Sequence, residues 1–272
     1  MGLSEDRAIP AGDALPDPEC WLVAGGEAWI CSWPAPQREG ANQDAAAVIA
    51  VGENGAILAV ADGAGGHAGG AKASRSAMRA LGSVAAEPAR DDGSLRPLIL
   101  DGIEQANAAV QALGVGAATT LAAAEVQGRG VRTYHVGDSA ILVLGQRGRI
   151  KLQTIAHSPV GYAVEAGLLD EDEALRHDER HVVSNVVGTA EMRIEIGPAL
   201  ELAPRDTLLL ATDGLFDNLA LEEIVEFVRK GPLGHAARRL AEAARARMER
   251  AEAGRPCKPD DLTFVLFRRV RA

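Results

Sequence analysis

"AAAVIAVGENGAILAVADGAGGHAGG", residues 45–70, decides how the rest of the chain is to be read. Two apolar runs, 45–51 and 56–61, flank Gly52-Glu53-Asn54-Gly55. Runs of this length around an Asn-Gly pair predict two buried strands joined as a hairpin. The second run ends on Asp62, and five glycines follow within positions 63–70. Glycine loses more backbone entropy on folding than any other residue, so such a cluster marks a chain that turns sharply or approaches something closely. An aspartate at the mouth of that turn suggests a cation.

On the C-terminal side, residues 71–87 and 95–113 carry apolar residues at helical spacing and predict two helices, separated by the loop "PARDDGS". Short apolar runs at 118–126, 131–137, 140–145 and 149–154, parted by Gly-containing turns, predict a β-meander. Residues 157–190 are polar, weakly periodic and too long for a plain connection, and are expected to form a functional flap. Strands resume at 192–196 and 206–212, helices at 220–230 and 233–249, and a last strand at 261–270. No regular βαβ alternation exists. The order predicts an α+β fold of mostly antiparallel sheets with helices outside them, in one domain over 21–272. The acidic, Pro-containing residues 1–20 are expected to be a flexible tail.

The chain has 272 residues, 47% of them apolar and 24% charged, enough to build a core without disulfide staples. Its three cysteines, Cys20, Cys31 and Cys257, form no CxxC pair, which points to a reducing, cytoplasmic setting. The net charge is −10 and no basic patch stands out, so nucleic acid is not expected as a partner. No apolar run approaches the ~20 residues of a membrane span, and the N-terminus lacks the pattern of a signal peptide.

Aspartates recur where apolar strands begin or end: Asp44, Asp62, Asp138, Asp213, and the pair Asp260–Asp261. Strand ends of stacked sheets converge on a common edge, so carboxylates far apart in sequence can meet there. Like charges at 4 Å repel by about 1 kcal/mol even in bulk water and several-fold more near protein. Either most are protonated or divalent cations neutralise them. An all-oxygen donor set favours hard ions, Mg²⁺ or Mn²⁺ over Zn²⁺. Gly63 would let its carbonyl reach a metal. Other chemistries fit less well: "GAGGHAGG" is neither a dinucleotide nor a P-loop fingerprint, and no GxSxG or HExxH is present. Cys31 and Arg38 are spaced one residue too widely for a cysteine-phosphatase loop.

The ordered series "NQDAAAV", "AVADGAGGHAGGAKAS", "GAATTLAAAEV", "HVGDSAILVL", "RHVVSNVVGT", "LLLATDGLFDNL" and "KPDDLTFVLF" resembles the bacterial metal-dependent protein phosphatases of type 2C, over about residues 38–268. The resemblance implies a four-layer α-β-β-α sandwich of two mostly antiparallel sheets flanked by helices. It implies hydrolysis of phosphoserine and phosphothreonine on proteins by a water activated between two Mn²⁺ or Mg²⁺ ions, with a third ion in some members. Carried over, Asp62 bridges both ions, the Gly63 carbonyl binds the first, and Asp44, Asp213 and Asp260 complete the second. Asp138, and Asp217 with Asp213, match the weaker third position. Asp261 stands where the family has Asn and would hydrogen-bond locally. The phosphate-binding arginine falls one residue out of register, as Arg38, with Glu39 in its place. His67 is the candidate general acid, against the plainer role of holding the loop. Partners implied are phosphoprotein substrates and a cognate Ser/Thr kinase, in a signalling role. A phosphatase-like, non-catalytic module sensing a metal or partner is the alternative, which the displaced arginine favours.

Overall fold

The structure is a computed structural model, and it describes residues 7–9, 15–36, 40–64, 67–86, 94–114, 116–252 and 255–270. Along the chain run β1 (Arg7–Ile9), β2 (Glu19–Val23), β3 (Gly26–Trp33), β4 (Ala45–Val51), β5 (Gly55–Ala61) and β6 (Gly63–Ala64). Helices α1 (His67–Ala85) and α2 (Arg96–Leu113) follow, then β7 (Ala118–Thr119), β8 (Leu121–Gln127), β9 (Gly130–Val136), β10 (Ala140–Leu144) and β11 (Ile150–Gln153). The flap segment holds α3 (Pro159–Glu165) and α4 (Glu171–Ala174). The remainder comprises β12 (Glu195–Ile196), β13 (Leu200–Glu201), β14 (Thr207–Ala211), α5 (Asp213–Phe216), α6 (Leu221–Val228), α7 (Leu233–Glu249) and β15 (Leu262–Arg269).

The strands form two large sheets. One runs β1-β4-β5-β8-β9-β12 with β13 also on β9; the other runs β11-β10-β14-β15-β3-β2, and every pairing is antiparallel. Side-chain alternation sorts the core into three layers. In β4 and β5, Ala46, Val48, Leu58 and Val60 face the second sheet, where they meet Val143, Leu208, Leu210, Val265 and Phe267. Their neighbours Ala47, Ile49, Ile57 and Ala59 face outward onto α1 and α2 through Met78, Leu81, Ile99 and Ile103. The second sheet turns Leu142, Leu209, Phe264 and Leu266 outward onto α6 and α7 through Ile224, Val228, Leu240 and Ala244. Strands apolar on both faces are what this four-layer stack requires, which is why they read as continuous apolar runs.

Two departures from the sequence expectations matter. Parts of the segment expected as a flexible tail are strands: residues 7–9 pair with β4, and Glu19 and Cys20 belong to β2, which pairs with β3. Helix α1 begins at His67, inside the glycine cluster, four residues ahead of the expected start. The reason is a close approach. A Cβ on Gly63 would overlap the Gly70 carbonyl and lie 2.8 Å from the Gln43 carbonyl, and a Cβ on Gly70 would overlap the Gly63 carbonyl in turn. Only a glycine pair lets the first turn of α1 lie against the strand end that carries Asp62.

Candidate metal centre

The sheet registers bring the aspartates together. Ala45 pairs with Ala61, so Asp44 and Asp62 flank the last rung of the β4–β5 ladder. Ala140 pairs with Ala211, which pairs with Phe264, so Asp138, Asp213 and Asp260 sit at the same end of the second sheet. Hydrogen bonds fix their orientation. Thr212 Oγ1 donates to Asp44 Oδ2 at 2.8 Å, tying one sheet to the other. The Asp44 amide donates to Asn42 Oδ1 at 2.9 Å, and Asn42 is held by Ser32. The Asp62 carbonyl accepts from Thr120 N and Thr119 Oγ1, both at 2.8 Å, and the Asp62 amide donates to Thr120 Oγ1 at 2.9 Å. Main-chain groups are thereby satisfied, and the carboxylates point elsewhere.

The carboxylates act on one another. The charges acting most strongly on Asp62 are those of Asp213, Asp44, Asp138 and Asp260, all negative. Burial first, and these carboxylates second, hold its pKa well above the usual range. Asp44 is raised likewise by burial and by Asp261, Asp213 and Asp260, against the opposing Thr212 hydrogen bond. Burial with Asp213 and Asp217 pushes Asp138 up to about 7, and burial with Asp213 pushes Asp260 up to about 6. Asp138 Oδ1 is buried and accepts no hydrogen bond. A buried oxygen without a donor, among carboxylates that repel each other, fits a hard divalent cation.

The sign of the pH dependence follows. Folded pKa values of about 7 for Asp138 and about 6 for Asp260 stand above the ordinary 3.8. The metal-free fold therefore favours the protonated carboxyls, and their contribution to stability is full below about pH 4 and lost as pH rises through 6–7. A divalent ion reverses this by stabilising the ionised forms. In EDTA, the thermal midpoint should fall between about pH 5.5 and about pH 8, and the gain on adding Mn²⁺ should be larger at the higher pH. A gain that does not grow with pH would contradict the electrostatic account.

Sequence reasoning overlooked one further member of the site. Lys258 Nζ lies 2.5 Å from Asp213 Oδ2, 2.7 Å from Asp217 Oδ2 and 3.3 Å from Asp260 Oδ2. Burial opposes its charge, but Asp213 and Asp217 outweigh that and raise its pKa. No sequence signal could have found it, since a lysine in "RPCKP" reads as linker. Asp261, expected to hydrogen-bond locally, instead accepts from the distant Ala35 N and Gln43 N, each at 2.8 Å, and so ties the start of β15 to the segment before β4. Of the two residues expected to act on the phosphate, Arg38 lies outside the described residues. His67 is the first residue of α1, and its side chain is likewise outside the described part.

A cavity of about 770 Å³ opens beside the carboxylates. Asp138, Asp213 and Asp217 line one side, and Val160, Val164 and Arg180 of the 157–190 segment line another. A second candidate ligand group, His135, His157 and Glu195, has its ligand atoms within 4.8 Å of one another. Its two rings stack at 4.4 Å, 25° from parallel, so their in-plane lone pairs run side by side rather than converging on an ion. His157 Nδ1 faces two donors, Gly137 N and Asn185 Nδ2, which puts its proton on Nε2, 3.1 Å from Glu195 Oε2. That trio fastens the start of the flap to the first sheet.

Known proteins resemble this chain over most of its length. A serine/threonine phosphatase of Listeria welshimeri is 30% identical over 200 residues, covering 70% of this chain and 77% of that protein. The serine/threonine protein phosphatase PstP of Mycobacterium tuberculosis is 30% identical over 199 residues, which cover 69% of this chain but only 37% of PstP. The catalytic domain of a serine/threonine protein phosphatase PstP, solved in complex with two manganese ions, superposes with a TM-score of 0.68 at 27% identity, covering 90% of this chain and 98% of that one. The S. agalactiae serine/threonine phosphatase superposes with a TM-score of 0.76 at 28% identity, covering 89% of this chain and 99% of that structure. The family model for protein phosphatase 2C matches residues 36–253, a span that takes in the first sheet from β4 onward, β10, β11 and β14 of the second, the glycine turn and the aspartates from Asp44 to Asp217, and by that match the chain belongs to the protein phosphatase 2C family.

Proposed function

We propose that this chain is a metal-dependent protein phosphatase that hydrolyses phosphoserine and phosphothreonine on protein substrates. One observation carries the reading: carboxylates from both sheets meet at one edge, with a buried oxygen of Asp138 left without a donor. Asp44, Asp62, Asp213 and Asp260, with the Gly63 carbonyl, would hold two Mn²⁺ or Mg²⁺ ions, and Asp138 stands beside them. When bound, such ions neutralise phosphate charge and lower the pKa of water enough to supply a nucleophile near neutral pH.

The chain's own residues do the rest. Thr212 and Asn42 orient Asp44; Thr119 and Thr120 lock the main chain of Asp62. The adjoining cavity gives the phosphorylated segment a place against the 157–190 flap. Arg38 is proposed as the phosphate anchor and His67 as the proton donor to the departing alkoxide. Phosphoproteins of this kind are made by a protein kinase, which is the partner activity proposed here. No helix among the described residues is long and apolar enough to cross a membrane. Cys20, Cys31 and Cys257 are free thiols, which suits the proposed cytoplasmic setting.

The test is phosphate release from a phosphothreonine peptide. Turnover should require Mn²⁺ or Mg²⁺, vanish in EDTA, and weaken in KM with Arg38→Ala. Mn²⁺ binding without any turnover would instead assign the chain to the metal- or partner-sensing alternative.

A further inference from the structure

The carboxylate cluster is not uniform in charge. Around Asp44 and Asp62 the strongest acting charges are all carboxylates, whereas Asp138, Asp217 and Asp260 each also feel Lys258. An ammonium group has three donors, and here three carboxylates, those of Asp213, Asp217 and Asp260, stand within 2.5–3.3 Å of it.

Its position is built rather than incidental. The Lys258 amide donates to Asn218 Oδ1, and Asn218 Nδ2 donates back to the Lys258 carbonyl, both at 2.8 Å. Asn218 is fully buried, also reaches the Gly214 carbonyl at 2.9 Å, and its own carbonyl accepts from the buried Arg247. Pro259 fixes the next φ. A surface lysine sampling many rotamers has no such two-sided clamp on its main chain.

We propose that the Lys258 ammonium is a tethered cation standing in for a third divalent ion at Asp138, Asp213 and Asp217, so that the chain binds two ions and no more. The inference rests on the phosphatase reading of the same site and adds to it which part of the cluster the ions occupy. Divalent ions belong at the Asp44–Asp62 end, reaching Asp213 and Asp260 from there, where among the described residues the charges acting most strongly are all carboxylates. At the other end the fixed positive charge repels a further ion, although Asp138 Oδ1 stands ready as a ligand.

Mn²⁺ counted per chain, by calorimetric titration and by metal content after gel filtration, tests this without reference to turnover. Wild type should take two ions. Lys258→Met should take three, the third being lost again in Lys258→Met combined with Asp138→Asn. Lys258→Arg, which keeps the charge, should stay at two, and circular-dichroism melts confirm that each variant is folded. Three ions on wild type, or two on folded Lys258→Met, would overturn the role given to Lys258 while leaving the metal centre intact. No ion on wild type would overturn the metal centre and this inference together.

Discussion

Asp62→Asn should abolish turnover and, in the absence of metal, make the protein more stable. Asp62 stands among other carboxylates, with Asp213, Asp44, Asp138 and Asp260 all acting on it. Replacing it with a neutral isostere removes that repulsion and the cost of burying its charge, so the thermal midpoint in EDTA should rise, and rise more the higher the pH. The same change removes the ligand proposed to bridge both ions. Activity should fall by more than about 10³-fold, since each 1.4 kcal/mol of lost charge stabilisation is tenfold in rate. Phosphopeptide turnover and a melt in EDTA read the two effects separately. An active variant would refute the site, and a less stable one would refute the repulsion.

Gly63→Ala should be among the most damaging single-methyl changes in the chain. The added Cβ meets the Gly70 and Gln43 carbonyls, both main chain, so no flexible side chain can move aside. Overpacking against backbone costs about 3 kcal/mol or more, roughly 5–10 °C in thermal midpoint for a domain of this size. Relief would come from separating the start of α1 from the end of β5, which also displaces the Gly63 carbonyl from the metal centre. Mn²⁺ affinity should fall with stability. Gly82→Ala provides the contrast: it lies within α1, nothing stands within 4 Å of its Cβ, and it should stabilise by about 0.5–1 kcal/mol. Similar melts for the two variants would show that the glycine turn is not the close contact described.

The core strands were legible because both faces are buried. In 45–51 and 56–61 no polar residue interrupts the run, and the hairpin forms with Ala45 opposite Ala61. Strands β2 and β3 escaped notice because neither presents an unbroken apolar run. Strand β2 is the sheet edge and largely exposed, so "ECWLV" is a short run with no buried pattern; β3 lies inside it, paired on both sides, but Glu27 and Ser32 break its run "GEAWICSW". The start of α1 was hidden by Gly69 and Gly70, poor helix formers, of which Gly70 is kept there by the contact with Gly63. Among site residues, the aspartates were visible because each interrupts an apolar run. Lys258 and Thr212 were not, because their roles exist only after Asn218 and the two sheets bring them to Asp213 and Asp44.

The central claim is that acidic side chains from two sheets form one cage for divalent ions. Anomalous X-ray scattering from crystals grown with Mn²⁺ tests it most directly. Two peaks bounded by Asp44, Asp62, Asp213 and Asp260, with the Gly63 carbonyl on one of them, are the predicted result. Manganese-free density at that edge, in crystals whose protein binds and needs Mn²⁺ in solution, would contradict it.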